Sequence, residues 1–417
     1  MAMAGLRGSV ERTEKVRRMA WAGLLAGLLI ASGYGAKAAE HPWVASFWPK
    51  AAAEGVPEAI FRKAFADFTP DPDILRSSAN QAEFVRPLWT YLANTVSTER
   101  VETGTALAIR YRTQLAKIEA VYGVERAILV AIWGMETSYG TDLGDTGNGK
   151  NIIRSLATIA AAGGSRVAFA EEQLIAALKI IERGDVTLAA LTGSWAGAMG
   201  QPQFIPTTYQ DYAVDFDGDG KRDIWKSALD SLASMANFLR ARGWQAGGSW
   251  GHEVILPAGF DYRLADPEVV KATADWAALG VKRPKGAAFA RPDEQAAILL
   301  PTGARGPAFM IFGNFRVIKR YNNSDAYALA VGSLSDRIKG LPAITGPWPR
   351  DELPLSSSER SELQQLLAAR GLYSGPIDGK LGRLSDAGLR TFQASIGMAP
   401  DGYPSAPLLQ KLRSASR

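Results

Sequence analysis

Apolar positions return every three or four residues along most of the chain, and this period predicts helices. "GVPEAIFRKAFADF", "ALAIRYRTQLAKIEAVYG", "RVAFAEEQLIAALKIIERG" and "SLASMANFLRARGW" all carry it. Gly123, Gly184 and Gly243 close three of these patterns, as glycine does where a helix ends in the left-handed conformation. Residues 247–312 lose the period. "HEVILP", "QAAILL" and "AFMIF" are short apolar runs among Pro and Gly, and they predict a small β element. Residues 40–340 thus read as one mostly helical domain. "LPAITGPWPRDELPLSS", residues 341–357, has four prolines and no period, which marks a linker. Residues 358–413 carry three short helical patterns separated by the turns "GPIDGKLG" and "APDGYP", with Ser358 as the expected first helix start.

The N-terminal pattern is different. Residues 1–39 combine a basic start, an apolar run from Met19 to about Ser32, and small residues in which Ala36 and Ala38 fit a cleavage site. This predicts an export signal and a periplasmic protein. The apolar run falls short of the ~20 residues of a spanning helix. The formal net charge is +5, but this segment holds six Lys/Arg and two Glu and so carries +4 of it. The remainder is near neutral, which gives no reason to expect nucleic acid as a partner. Cysteine is absent, so disulfides, thiol chemistry, Cys-bound zinc and lipid attachment through an N-terminal Cys are excluded. The only histidines are His41 and His252, so a Ser-His-Asp machine or a histidine-rich metal centre would rest on His252 alone.

One ionisable residue stands out in apolar company. In "AILVAIWGMETSYG", Glu136 is the only charged residue between Arg126 and Asp142, and it follows Ile132 by four positions and Trp133 by three. That places it on the apolar stripe of a buried helix, where carboxylates are rare. Burial disfavours the anion and raises a carboxyl pKa, so such a group can donate a proton to a leaving oxygen near neutral pH. Glycosidic-bond cleavage needs that donor. A plainer reading is a helix-end Glu that pairs with an Arg or reaches solvent.

Two further stretches bear on the choice. "GSWAGAMGQPQFIPTTY", residues 193–209, alternates Gly and Ala with Ser194, Trp195, Gln201, Gln203 and Tyr209. Small residues admit a ligand close to the backbone, and neutral amides, hydroxyls and aromatic faces suit a sugar. A Gly-rich turn between helices would look the same. "DFDGDGKRDIW", residues 215–225, sets Asp215, Asp217 and Asp219 at alternate positions before Gly220. The carbonyl of Lys221 and the carboxylate of Asp223 follow, in the order of an EF-hand-like calcium loop. Lys226 stands where such a loop carries its bidentate Glu, and Asp230 is a possible substitute. The expected ion is Ca²⁺ in a structural role. The bland alternative is an Asp-Gly turn.

These stretches, with "FGNFRVIKRYNNSDAYALAV" further on, occur in the order found in B-type lytic murein transglycosylases, and the chain resembles that family over nearly all of residues 40–412. The C-terminal unit, with "IDGKLG" and "GLRTFQ", is similar to peptidoglycan-binding domains. The resemblance implies a mainly α protein: a lysozyme-like helical catalytic domain with a small β element, plus a small three-helix peptidoglycan-binding domain. It implies cleavage of the MurNAc–GlcNAc β-1,4 bond without hydrolysis, the muramyl C6 hydroxyl attacking C1 to leave a 1,6-anhydro end. Matched by position, Glu136 is the single catalytic acid/base. Ser194 and Gln203 are sugar contacts, and Tyr321, Asn322 and Tyr327 belong to a segment beside the cleft. Asp215, Asp217, Asp219, Lys221 and Asp223 form the metal loop. Peptidoglycan is the implied partner, with other wall enzymes as further partners, for a monomer without a lipid anchor and with no cofactor for the chemistry. Trp195 and Pro202 stand where related sequences vary.

Two rivals remain at this level. A hydrolytic muramidase needs a second carboxylate, for which Asp142 and Asp145 in "TDLGDTGNGKN" are placed by sequence. A non-catalytic wall-binding protein would need only the C-terminal unit.

Overall fold

The computed structural model describes residues 41–79, 86–143 and 149–415. The expected export signal and Asp145 lie outside them. Among the described residues no helix is long and apolar enough to cross a membrane.

The first helices are α1 (Pro42–Ala53), α2 (Glu58–Phe65), α3 (Pro72–Ala79), α4 (Leu88–Thr95), α5 (Thr98–Arg110), α6 (Arg112–Tyr122) and α7 (Arg126–Thr137). The single apolar pattern across residues 106–123 is divided between α5 and α6. The break falls at Tyr111 (φ −97°, ψ 17°), whose ring packs edge-on against Trp133 at 6.1 Å. A tertiary contact here overrides a continuous helical period. The end of α6 is set by Gly123 at φ 72°, as its position predicts.

Helix α7 is the axis of the fold. Ile128, Leu129, Val130, Ala131 and Ile132 are each fully buried. A helix apolar on every side must be surrounded, and α5, α6, α11 (Ala228–Ala241) and α14 (Asp325–Ile338) pack around it. Between α7 and α11 lie the two-residue strands β1 (Lys150–Asn151) and β2 (Thr192–Gly193), which pair antiparallel. The helices α8 (Ile152–Ala161), α9 (Val167–Arg183) and α10 (Pro206–Tyr212) lie in the same stretch.

The predicted β element is a four-stranded antiparallel sheet in the order β3-β6-β5-β4. Its strands are β3 (Gly251–Val254), β4 (Lys271–Ala272), β5 (Gln295–Leu299) and β6 (Ala308–Ile311), with α12 (Thr273–Ala278) between β4 and β5. Ala297, Leu299, Phe309 and Ile311 join the main helical core, while Ala296, Ile298, Ala308 and Met310 join a smaller core around Trp276 and Phe260. Both faces are covered, which is why these strands read as continuous apolar runs. α13 (Gly313–Tyr321) then leads into α14.

After α14 the proline-rich stretch has no helix or strand, but it is tied to the body. The carboxylate of Glu253 accepts from the N–H of Thr345 (2.8 Å), its hydroxyl (2.9 Å) and the N–H of Gly346 (2.5 Å). Arg305 pairs with Asp351 and Glu352. The C-terminal helices are α15 (Ser357–Ala368), α16 (Arg383–Ser395) and α17 (Ala406–Ser414), closed around Leu363, Leu367, Leu389, Phe392, Leu408 and Leu412. α15 starts from a capping box between Ser356 and Glu359 rather than from Ser358. The Arg390 guanidinium donates to the carbonyls of Tyr262 (2.6 Å) and Ala265 (2.8 Å), and Asp401 accepts from the N–H of Ala304 (2.7 Å).

Candidate active site

Glu136 occupies the last turn of α7, and the backbone beyond it is bent hard. Ser138 (φ 46°), Tyr139 (φ 64°) and Gly140 (φ 80°) are all left-handed. Two non-glycine residues in that region cost energy, and such strain persists where the surroundings fix it. Several bonds do so. The Tyr139 hydroxyl donates to the carbonyl of Arg100 at 2.6 Å. The Thr137 hydroxyl donates to the carbonyl of Gln201 at 3.0 Å and accepts from the N–H of Gly140 at 3.1 Å. The end of α7 is therefore locked to the Gly-rich stretch.

The Glu136 side chain is crowded by protein while keeping part of its surface open to solvent. Burial pushes its pKa up to about 7, and the one opposing influence is a hydrogen bond from the Tyr327 hydroxyl to Oε1 at 2.5 Å. Desolvation outweighs the bond, so near neutral pH the carboxyl exists in both protonation states. Three phenols from three helices share its field. Tyr91 of α4, Tyr321 of α13 and Tyr327 of α14 are each pushed up first by burial and then by the Glu136 charge. They remain neutral hydroxyls, and Tyr327 donates its one proton to the carboxylate.

The expected sugar contacts divide. Tyr327 touches Glu136. Tyr321 donates to the carbonyl of Pro202 at 2.5 Å and packs on Phe204 and Phe238. Gln203 holds φ 51° and donates to the carbonyl of Gly200 at 2.9 Å. The Ser194 hydroxyl accepts from the N–H of Ala198 (3.1 Å) and so closes a turn, while Asn322 is exposed at the end of α13. The small residues of the stretch also have a reason other than ligand approach. A Cβ on Gly193 would meet the Ala198 carbonyl oxygen at 1.9 Å, and one on Gly200 would meet that of Ile224 at 2.6 Å. The chain itself fills that space.

Tyr91 and Thr137 were not singled out by sequence. Tyr91 lies on a different helix and had no local signal. Thr137 adjoins Glu136 and looks like any helix-end threonine. Asp142 is exposed. His252 is half-buried between Phe289 and Phe312, and desolvation with the nearby Arg283 charge lowers its pKa to about 4. No hydroxyl or carboxylate joins it in a triad among the described residues.

In the acidic loop, Asp215, Asp217 and Asp230 bring carboxylate oxygens within 4.8 Å of one another. Asp230 is thus in the group, and the sequence had offered it only as a substitute. Asp219 and Asp223 lie outside that trio. Their carboxylates accept from backbone, Asp219 from Lys221 (2.8 Å) and Asp223 from Trp225 and Lys226 (3.0 and 2.9 Å). Asp230 is buried and accepts from the N–H of Phe216 and Asp223, both at 2.9 Å. Burial raises its pKa against these bonds. A set of carboxylate oxygens suits a hard cation such as Ca²⁺.

Residues 39–336 match the family model of the transglycosylase SLT domain, and residues 356–412 match that of a putative peptidoglycan binding domain. The membrane-bound lytic murein transglycosylase B of Escherichia coli K12 is 32% identical over 254 residues, 60% of this chain and 66% of that protein, just under two thirds of its length. SltB3 from Pseudomonas aeruginosa, in complex with NAG-anhNAM-pentapeptide, superposes with a TM-score of 0.85 at 49% identity, covering 89% of this chain and 98% of that one. The Escherichia coli lytic transglycosylase Slt35, in complex with calcium, gives 0.60 at 27% identity over 72% of this chain and 94% of its own.

Proposed function

The chain belongs to the transglycosylase SLT family, and from that premise we propose that it cleaves the MurNAc–GlcNAc β-1,4 bond of peptidoglycan with Glu136 as its one acid/base. The observation that carries this is a single carboxyl with a pKa near 7, bonded by one phenol and sharing its field with two more. Protonated Glu136 gives its proton to the bridging oxygen as the C1–O bond breaks. The resulting carboxylate accepts the proton of the muramyl C6 hydroxyl, which attacks C1 and closes the 1,6-anhydro ring. The acid is restored and no water is consumed, so one group serves both steps. The Tyr327 hydroxyl steadies the anionic form between them. Ser194, Gln203, Tyr321 and Asn322 border the glycan in this reading. Hydrolysis would need a second carboxylate across the sugar, and no observation on Asp142 favours it. Mass spectrometry of murein fragments tests the reading. Anhydro ends are expected, whereas reducing ends alone would make the enzyme a hydrolase.

The chain acts in the periplasm on this reading, after export directed by residues 1–39, and works as a monomer. Its C-terminal unit holds it to peptidoglycan. Asp215, Asp217 and Asp230 would hold a Ca²⁺, with Asp219, Asp223 and the Lys221 carbonyl beside them. The ion supplies charge neutralisation to the loop before α11 and no part of the bond cleavage.

A further inference from the structure

The chain has a cavity that this mechanism does not use. It measures about 510 Å³ and lies between α4, α14, the outer sheet and the proline-rich strap. Its walls are apolar, with Trp89, Trp250, Ile344 and Trp348 among them. Its charge is one-sided. Arg283, Lys285, Arg337 and Arg350 line it, and among the described residues none of the four has a carboxylate partner. The two lining carboxylates are occupied. Glu253 pins the strap through Thr345 and Gly346, and Asp336 accepts from the Trp250 indole at 3.1 Å and pairs with Lys339 at 3.1 Å.

Three details set this cavity apart from an incidental gap. His252 Nε2 and Ser333 Oγ belong to lining residues, are buried, and find no protein partner among the described residues. Orphaned polar atoms are rare and call for an explanation. Lys285 holds φ 59° and ψ 16°, a region a lysine occupies only at a cost. The strap over the cavity is fastened to the sheet by the half-buried Glu253 carboxylate rather than left loose.

Arg283 and Arg337 each donate one N–H to a backbone carbonyl, of Ala288 and Leu341, and four cations without a carboxylate around apolar walls fit an anion with small apolar groups. We infer that this cavity is a second site, which takes the peptide stem of the wall polymer by its carboxylates and methyl side chains. The choice of peptide rests on the peptidoglycan reading above, since a wall stem peptide carries carboxylates among alanine methyls. The helices α4 and α14 bring Tyr91 and Tyr327 to Glu136, and their other faces wall this cavity. A strand whose sugars lie at Glu136 and whose peptide lies here would be held on both sides of the same two helices.

The test is calorimetric titration of a sugar-free wall pentapeptide into the full chain. The peptide has no glycosidic bond and is not a substrate. Saturable one-site binding is expected. It should weaken at least tenfold in Lys285→Glu/Arg350→Glu, whose residues are exposed, and in Ala343→Trp, which crowds the exposed strap. Lys117→Glu, a charge reversal on exposed α6 surface, should leave it unchanged. Absence of binding, equal weakening by Lys117→Glu, displacement by peptide-free glycan, or full displacement by equimolar inorganic phosphate would each overturn the inference. The sacculus assay separates the two readings. Anhydro products without peptide binding sink only this site, and peptide binding without anhydro products sinks only the proposed reaction.

Discussion

The hydroxyl of Tyr327 reaches Oε1 of Glu136 at 2.5 Å across 191 residues of sequence. The bond stabilises the carboxylate, while burial favours the acid, and burial prevails with a pKa near 7. The contact sets how much of the acid is present at working pH.

Tyr327→Phe removes the only influence that holds this pKa down. A hydrogen bond to a charged group contributes about 1.5–3 kcal/mol, so the pKa should rise by about one to two units. The alkaline limb of the cleavage profile, where the acid is lost, should move to higher pH. The peak rate should fall, because the anion that accepts the C6 proton is less well supported. A pH series of murein solubilisation reads both effects. An unmoved alkaline limb would detach Tyr327 from the chemistry.

Glu136→Gln should lower cleavage by at least ~10²-fold, since an amide cannot donate and recover a proton. It should also stabilise the protein in alkali. The folded pKa of about 7 lies above the ordinary glutamate value of 4.5. The folded state therefore binds the proton more tightly, and its stability falls as pH rises from about 4.5 through 7. With the partial opening to solvent trimming the effect, the cost at pH 8 is on the order of 1–3 kcal/mol. A neutral amide at this position escapes that cost, so the variant should melt higher than wild type at pH 8, and the gap should close toward pH 4.5. Equal melting curves at both pH values would mean Glu136 is not held in a desolvating site.

Much of this was legible in the sequence because it was local. Glu136 is visible as one charge on an apolar stripe, and the outer sheet as apolar runs without a helical period. The acidic loop shows the same kind of local spacing. What sequence could not supply was tertiary. Tyr91 meets the Glu136 field from another helix, and Tyr111 breaks a continuous pattern because Trp133 stands beside it. Asp230 enters the carboxylate trio because the start of α11 folds back over the loop. The glycines of residues 193–200 looked like room for ligand, but backbone oxygens occupy the space.

Calcium should raise the melting temperature, because a ligand bound only by the folded state stabilises it by mass action. Asp217→Ala should abolish the rise, since it removes one of the three gathered carboxylates. Asp219→Ala should only reduce it, because that carboxylate turns to the Lys221 N–H. Differential scanning calorimetry with Ca²⁺ and with chelator distinguishes them. If Asp219→Ala abolishes the response and Asp217→Ala does not, the sequence order of the loop, and not the gathered trio, defines the site.

Ending the chain after Glu352 should leave a folded, active body that binds the wall poorly. The C-terminal helices close their own core around Leu363, Leu389 and Leu408, so their loss opens no part of the main helical core. The cut keeps the bonds of Glu253 to Thr345 and Gly346 and the pairing of Arg305 with Glu352, so the strap stays seated. It removes the Arg390 clamp on Tyr262 and Ala265 and the Asp401 bond to Ala304, which are part-buried bonds to charged groups of about 1.5–3 kcal/mol each. The melting temperature should therefore drop, while the body keeps its main helical core and stays folded. Co-sedimentation with sacculi should fall sharply, because a tethered wall-binding unit raises the local concentration of the catalytic one. Cleavage of short soluble glycan fragments, which need no tether, should continue at near-normal rate. Unfolding of the shortened chain, or sedimentation equal to that of the full chain, would place wall binding and stability in the same part of the molecule.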